Sequence, residues 1–198
     1  MRHLEGRVIG LDAVAALQAN NAKQGFVLAH QTLRYGGEMV VDISGTSSSP
    51  TKKITRTRMM ILFLPMTTII PRLREFVRAW LTARGHIARV AIEDGTVKGY
   101  GVLRSCTTEG PKIAPLFATS VEVAGLLARA LVAAIVSSRA SAPVHVFIDV
   151  PEPNNGGVVL AERLGLSKMW KTSRMYRLEV RRRSFLWIKS LGSLAWSR

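Results

Sequence analysis

The residues with the most catalytic or metal-binding potential in this sequence are few and scattered. Four histidines stand at His3, His30, His86 and His145, and no two have the spacing that places a ligand pair on one helical face. We therefore expect packed or surface histidines and no metal site. The single cysteine, Cys106, excludes an internal disulfide and a cysteine-rich zinc site, and it suits a reducing compartment such as the cytoplasm.

A Gly-x-Gly pair, Gly99 and Gly101, lies within the strand-like run Val97–Arg104. A dinucleotide site would need a third glycine at Rossmann spacing and a helix that begins there, and the sequence has neither. The pair therefore indicates a strand that bulges or packs closely against a neighbour.

The most informative segment runs from Val146 to Leu166. Its β-branched start predicts a buried strand, which Pro151 and Pro153 end. Asn154 is a favourable helix N-cap, and Gly165 is a typical helix stop. Apolar residues between them recur at the spacing of a helix face that packs on a core.

Similar patterns predict the elements before this segment, in the order helix, hairpin, strand, helix. They are a helix over Pro71–Leu81, strands over Arg89–Glu93 and Val97–Arg104 joined by Asp94-Gly95, a strand over Lys112–Ala118, and a helix over Val121–Val136.

The strand, Asn154, the helix and Gly165-Leu166 eleven residues later resemble the strand 5–helix 4 unit of the GNAT superfamily of acyl-CoA-dependent N-acyltransferases. The resemblance covers residues 70–177 well and residues 6–36 in part. It implies an α/β fold with a central mixed β-sheet and helices on both faces. It also implies that Lys112–Ala118 and Val144–Val150 are neighbouring parallel strands.

The resemblance implies transfer of an acyl group, most simply acetyl from acetyl-CoA, to a small-molecule or peptide amine. In this family pantetheine binds strand 4 where strands 4 and 5 separate, and Pro115 would weaken pairing there. The residues that the resemblance assigns to acyl-CoA binding are Leu116, Phe117, Ala118, Thr119, Ala124, Gly125 and Asn154. An N-cap role for Asn154 is an equal alternative.

The family's pyrophosphate loop is altered in this sequence. Of the loop positions, Thr119 replaces Arg or Gln, Glu122 replaces the first glycine, and Ala124 alone fits. Thr119 and Glu122 have the spacing of a capping box, which would use amides that otherwise bind phosphate. We expect a well-formed helix with a weakened phosphate site.

The family's usual general acid is also absent. Many members have a tyrosine four residues before the glycine of helix 4, and Ala161 occupies that position here. Tyr176, on the following strand, is the nearest phenol in the family topology and is our candidate catalytic acid. A tyrosine that only packs within the strand is the alternative.

A weak internal repeat relates the two ends of the sequence. A strand, a helix, a glycine and an arginine nine residues later occur around Gly25 and Arg34, and again around Gly165 and Arg174. We expect residues 1–37 to be the C-terminal remnant of a first GNAT-like domain. Residues 38–69 are then a linker with an apolar connecting segment, 70–177 the GNAT-like domain, and 178–198 a basic and aromatic tail.

The net charge of +15 is concentrated in two segments. Residues 44–58 and 181–198 hold nine basic residues and no acidic one, so the remainder is only moderately basic. That suits an anionic ligand such as a CoA ester, without a specific nucleic acid or a membrane as partner. No oligomeric state follows from the sequence. Two alternatives stay open: a GNAT-like binding or regulatory module with impaired catalysis, and a basic binder of nucleic acid or membrane surfaces.

Overall fold

The computed structural model describes residues 8–41, 51–53, 73–106, 110–136 and 143–177. For 51–53 and 73–77 it describes the backbone course. The predicted basic and aromatic tail, 178–198, lies outside the described residues, as does most of the predicted linker with its apolar connecting segment, 38–69.

In the part of the chain that the structure describes, eight strands form one mixed sheet. In chain order they are β1 (Ile9–Val14), β2 (Phe26–Met39), β3 (Thr51–Lys53), β4 (His86–Glu93), β5 (Thr96–Arg104), β6 (Lys112–Ala118), β7 (Val144–Pro151) and β8 (Ser167–Arg177). Among the described residues, the helices are α1 (Ala15–Lys23), α2 (Leu73–Thr82), α3 (Val121–Val136) and α4 (Asn155–Arg163). The strand order across the sheet is β1-β8-β2-β7-β6-β5-β4-β3.

The predicted elements of the second half are confirmed, including a parallel β6–β7 pair. The bounds of β6 and α3 are those predicted, α2 is described from Leu73 on, and β4 begins three residues earlier than expected. The predicted α/β class, with a mixed sheet and helices on both faces, is therefore confirmed.

Two apolar clusters hold the helices on opposite faces of the sheet. The larger cluster joins α3 and α4 to β2, β6 and β7, with Leu131, Ile148 and Leu160 among its buried members. The smaller cluster packs Leu81 at the end of α2 against Val102 and neighbouring residues of β4 and β5. Each buried side chain of this size contributes about 1.5–3 kcal/mol, so the central strands are held from both sides.

Both predicted ends of α4 are present. The Asn154 side chain accepts a hydrogen bond from the Gly157 amide at 3.1 Å, which caps one of the free N–H groups of the first turn. After the helix, Gly165 has φ +75° and its amide donates to the Glu162 carbonyl. Glycine adopts this left-handed conformation without the steric cost that a Cβ imposes, and it turns the chain into β8.

The close packing predicted for the Gly99 and Gly101 pair is present. A Cβ at Gly99 would lie 2.6 Å from the Phe117 carbonyl oxygen, and one at Gly101 would lie 3.0 Å from Leu131 of α3. Glycine at position 99 therefore lets the β6 backbone approach β5, and glycine at position 101 leaves room for the Leu131 side chain of α3.

The two ends of the chain are interleaved in the sheet. Strand β2 lies between β7 and β8, and β1 pairs with the outer edge of β8, all antiparallel. The unit β1–α1–β2 therefore repeats β7–α4–β8 about an approximate two-fold axis, near which Thr32 faces Thr172. Both repeat glycines have positive φ, +83° at Gly25 and +75° at Gly165.

Within the predicted linker, 38–69, residues Thr51–Lys53 form a short strand at one end of the described sheet. It pairs antiparallel with β4, Lys52 lying opposite Val90.

Candidate active site at the opening between β6 and β7

Strands β6 and β7 separate soon after they meet. Lys112 pairs with Phe147 and Ile113 with Ile148, and within the described strands no further pair joins them. Pro115, two residues on, has no N–H group to donate to a neighbouring strand. On the α2 side, the Trp80 indole nitrogen donates to the Ala114 carbonyl at 3.2 Å. The backbone of β6 beyond Ile113 is therefore open toward β7.

A cavity of about 850 Å³ passes through this opening. On the face that carries α3 and α4, its lining includes Ser120, Ala124 and Leu160. On the opposite face its lining includes His30 and Arg174. The cavity thus joins two helix N-termini on one face of the sheet to a polar surface on the other.

The cap of α3 differs from the prediction by one residue. The Ser120 hydroxyl accepts from the Val123 amide at 3.3 Å, so Ser120 is the N-cap and the predicted Thr119–Glu122 capping box is wrong. Thr119 instead donates its own amide to the Lys98 carbonyl at 2.9 Å. That bond ties Thr119 to β5, and the N-cap is the next residue, Ser120, while the helix keeps its predicted start at Val121.

Glu122 brings a negative charge to the first turn of α3. Hydrogen bonds to its carboxylate from its own amide and from the Ser120 side chain lower its pKa, and the nearby charge of Arg163 adds to this. The Arg163 guanidinium lies 3.8 Å from the carboxylate, and both side chains are exposed. Glu122 is therefore ionised at neutral pH, close to where a phosphate would approach the helix.

Most of the predicted site residues lie on this cavity. The residues predicted for acyl-CoA binding that line it are Leu116, Phe117, Ala118, Thr119, Ala124 and Asn154. The seventh, Gly125, is not part of the lining, and a Cβ there would face Leu160 of α4 at 3.7 Å. Asn154 combines its N-cap bond with a place on the wall, so the two roles considered for it are compatible.

The predicted acid, Tyr176, also lines the cavity. It lies opposite Gly10 of β1, and a Cβ at Gly10 would be 2.7 Å from the Tyr176 ring. The absence of a side chain at Gly10 therefore leaves room for the ring at the cavity wall. Ala161 of α4, at the family's usual acid position, is fully buried in the core.

Three charged side chains meet where the strands separate. Arg34 donates two hydrogen bonds to Asp149, and Lys112 forms an ion pair with the same carboxylate. Burial by itself would raise the pKa of Asp149, but the hydrogen bonds and charges of Arg34 and Lys112 outweigh burial and lower that pKa. Asp149 is thus a fixed anion between two cations.

The repeat provides a second, more exposed pair on the same face. Arg174 of β8 lies 2.8 Å from Asp12 of β1, its register partner. His30 is the register partner of Arg174 on the other side of β8. Burial lowers the pKa of His30, the positive charge of Arg174 lowers it further, and Asp12 and Glu152 oppose the shift.

Five residues at this opening were not predicted from the sequence as part of the site: Asp12, His30, Arg34, Asp149 and Arg174. The repeated arginine, nine residues after each repeat glycine, was the available signal for both ion pairs. It could not identify their partners, because each arginine pairs with the aspartate of the other repeat.

In the part of the chain that the structure describes, no three or more histidine, cysteine, aspartate or glutamate side chains are grouped as metal ligands. None of the helices in the described ranges combines the length and apolar character needed to cross a membrane.

Comparison with known proteins agrees with this architecture. Residues 70–184 match the family model described as an acetyltransferase (GNAT) domain. The holothin acyltransferase of Pseudoalteromonas sp. (strain SANK 73390) is 28% identical over 181 residues, which cover 89% of this chain and 58% of that protein.

Two solved structures share the fold. A candidate acetyltransferase from Pyrococcus horikoshii superposes with a TM-score of 0.60 at 21% identity, over 95% of this chain and 58% of its own. A GCN5-related N-acetyltransferase-like protein from Streptococcus suis 89/1591 gives 0.59 at 14% identity, over 90% and 74%. The chain thus spans 58% of the length of the holothin and Pyrococcus proteins.

The predicted family assignment is confirmed, and these comparisons do not favour the alternative of a catalytically impaired module. The match to the family model covers more than half of the sequence. This chain belongs to the GNAT family of acyl-CoA-dependent N-acyltransferases.

Proposed function

We propose that the protein transfers an acetyl group from acetyl-CoA to the amino group of a small molecule or peptide, in the cytoplasm. The observation that carries this proposal is the cavity that crosses the sheet where β6 and β7 separate. Such an opening lets a thioester reach the sheet from the helix side while an amine approaches from the other face.

The helix side suits pantetheine better than pyrophosphate. The backbone of β6 from Leu116 to Ala118 pairs with β5 and is open toward β7, so a pantetheine arm can add to it as a short strand does. At α3, the Ser120 cap and the Glu122 carboxylate compete with phosphate for the first amides. Affinity would therefore come mainly from β6 and from Asn154 and its neighbours on α4.

The chemistry follows from these contacts. A neutral amine attacks the thioester carbonyl, and N–H groups of β6 stabilise the oxygen as it gains negative charge. We assign Tyr176 as the acid that protonates the departing thiolate, since its ring is part of the cavity wall. General acid catalysis of this kind typically contributes about 10²- to 10⁴-fold in rate.

We further propose that residues 1–37 are the C-terminal part of a first GNAT-like domain and that 70–177 form the second. The repeat of β1–α1–β2 by β7–α4–β8 supports this assignment. Because β2 lies between β7 and β8, a fragment of residues 70–177 should not fold cooperatively. Urea denaturation of that fragment tests whether β7 and β8 need β2 between them. A cooperative transition like that of the full chain would show that they do not.

Calorimetry with the full chain tests the function. Acetyl-CoA should bind more tightly than desulfo-CoA or free pyrophosphate, and thiol release in the presence of a panel of amines should exceed release without amine. Binding without amine-dependent release would support the impaired module instead. Binding of nucleic acid with steep salt dependence, and none of acetyl-CoA, would support a basic binder.

A further inference from the structure

His30 lies on the face of the sheet from which an amine would approach. The hydroxyl of Ser173 donates to Gln31 at 3.2 Å and to Gln18 of α1 at 2.9 Å, so these side chains occupy the α1 face. His30 precedes Gln31 in β2, points to the opposite face, and lines the cavity. The Gln31 carbonyl also accepts from the Glu152 amide at 2.8 Å, which fixes His30 beside the end of β7.

A bulge in β2 sets the direction of this side chain. The pairing of β2 with β8 steps from Leu28–Met175 to His30–Arg174, so Ala29 is an extra residue. Bulges of this kind bend a strand and redirect a side chain, and they are frequent beside active sites. Here the bulge keeps His30 on the same face as Thr32 and Arg34.

We propose that His30 is the general base that takes the proton from the attacking amine. This inference rests on the proposed acyl transfer. His30 would contact the amine of the acceptor directly, and no residue matched by the family resemblance has this role.

The charges around His30 favour the neutral imidazole that a base requires. Burial lowers the pKa of His30, and Arg174, which faces the ring from β8, lowers it further, so the ring is uncharged near neutral pH. Asp12 of β1 and Glu152 beyond β7 limit this effect. Tyr176 of β8 lines the same cavity. Arg174 is itself held by Asp12, so the cation beside the ring has a defined position.

Asp149 is a poorer base. Asp149 accepts two hydrogen bonds from Arg34 and an ion pair from Lys112, which stabilise its charged form and weaken its affinity for a proton. Asp12 is engaged by Arg174. Among the described residues that line the cavity, His30 is the only histidine.

The amine lone pair forms the new C–N bond, the C–S bond breaks, and its electron pair leaves on sulfur. The amine proton moves to a ring nitrogen of His30, and the Tyr176 hydroxyl gives a proton to the sulfur. Solvent then returns the proton from the imidazolium to the tyrosinate, so both residues regain their starting states.

The test compares His30→Gln with wild type in the full chain. The probes are acetyl-CoA and an aromatic amine, which stays neutral over the pH range used, together with two aliphatic amines. We expect kcat/KM at pH 7 to fall about 100-fold, with the affinity for acetyl-CoA unchanged. The wild-type rate should rise with pH through the pKa of His30, and the variant should lose that rise.

Two further variants separate a base from a structural residue. In His30→Ala, added imidazole should restore part of the lost rate, which it would not do for a folding defect. His145→Gln is the matched control, because His145 is exposed on β7 and does not line the cavity. It should keep the wild-type rate and pH profile.

The outcomes distinguish this inference from the proposed function. Wild-type turnover that His30→Gln retains, with the same pH profile, would overturn the base and leave acyl transfer standing. A variant that loses acetyl-CoA binding, or a His30→Ala enzyme that imidazole does not rescue, would also overturn it. Wild type without turnover on any of the amines would overturn the proposed function and the base together.

Discussion

Arg34 of β2 lies directly opposite Asp149 of β7, and its guanidinium donates to both carboxylate oxygens, from Nε at 2.7 Å and from Nη2 at 3.1 Å. The repeat reproduces this relationship in Arg174 and Asp12. Each pair joins a strand of one repeat to a strand of the other. The two ion pairs therefore tie the ends of the chain together at the acceptor face of the cavity.

The two arginines should differ in their contribution to stability. The Arg34 side chain is 14% exposed and that of Arg174 is 32% exposed, so solvent screens the second pair more. Arg34 also lies 4.3 Å from the centre of the Trp170 ring. We expect Arg34→Met to lower the free energy of unfolding by about 2 kcal/mol, and Arg174→Met by less than about 1 kcal/mol. Urea denaturation of the two variants makes the comparison, and equal losses would contradict it.

The charge on Asp149 should make stability depend on pH. Arg34 and Lys112 lower the pKa of Asp149 in the folded protein. The carboxylate therefore makes its full contribution to stability at pH values above its pKa in the unfolded chain, which is about 3.9. This contribution is lost as pH falls through the lower folded pKa. In urea denaturation, wild type and Asp149→Asn should differ by a constant amount from neutral pH down to about 5, and the difference should shrink below about 4. A difference that grows in acid would refute this assignment.

Local signals explain why the second half of the fold was predictable. Asp94-Gly95, Asn154 and Gly165 each specify a turn or a helix end from neighbouring residues, and the structure has each feature in place. The α3 cap was misplaced by one residue, because Thr119 and Ser120 are adjacent and both are good N-caps.

Long-range pairing explains what was missed. The repeat was visible in sequence, but nothing local in β2 specifies that it lies between β7 and β8. That order is set by burial of Leu33 and Tyr35 against α4 and its neighbours. The pairing of Arg34 with Asp149 and the place of His30 on the cavity both follow from that strand order. Neither could be predicted without knowing it.

Tyr176 should act as an acid that is most needed near neutral pH. We expect Tyr176→Phe to reduce turnover about 100-fold at pH 7. The loss should be smaller in alkaline solution, because a thiol with a pKa near 8.5 then leaves partly as thiolate without help. Thiol release measured from pH 6.5 to 9 gives both quantities. Brisk turnover that survives the replacement at neutral pH would show that the acid is another residue.

Gly10 offers an independent test of the same tyrosine. A Cβ in Gly10→Ala would lie 2.7 Å from the Tyr176 ring, so the ring must move. We expect slower turnover with little change in acetyl-CoA affinity. If the effect acts through Tyr176, the double variant Gly10→Ala/Tyr176→Phe should be no slower than Tyr176→Phe. Additive losses would mean that Gly10 matters for another reason.

Glu122 should weaken acyl-CoA binding through its charge at the first turn of α3. Glu122→Gln removes that charge and leaves a side chain of similar size, so calorimetry should show tighter binding of acetyl-CoA. The gain should be largest at low ionic strength, because solvent and salt screen an exposed carboxylate. The matched control is Glu93→Gln on the β4–β5 hairpin, where Glu93 is equally exposed and lies 3.5 Å from Lys98. Glu93 does not line the cavity, so its replacement should leave binding unchanged. Unchanged or weaker binding in a folded Glu122→Gln protein would mean that the phosphates do not approach α3, and that the acyl-CoA lies against α4 and β6 alone.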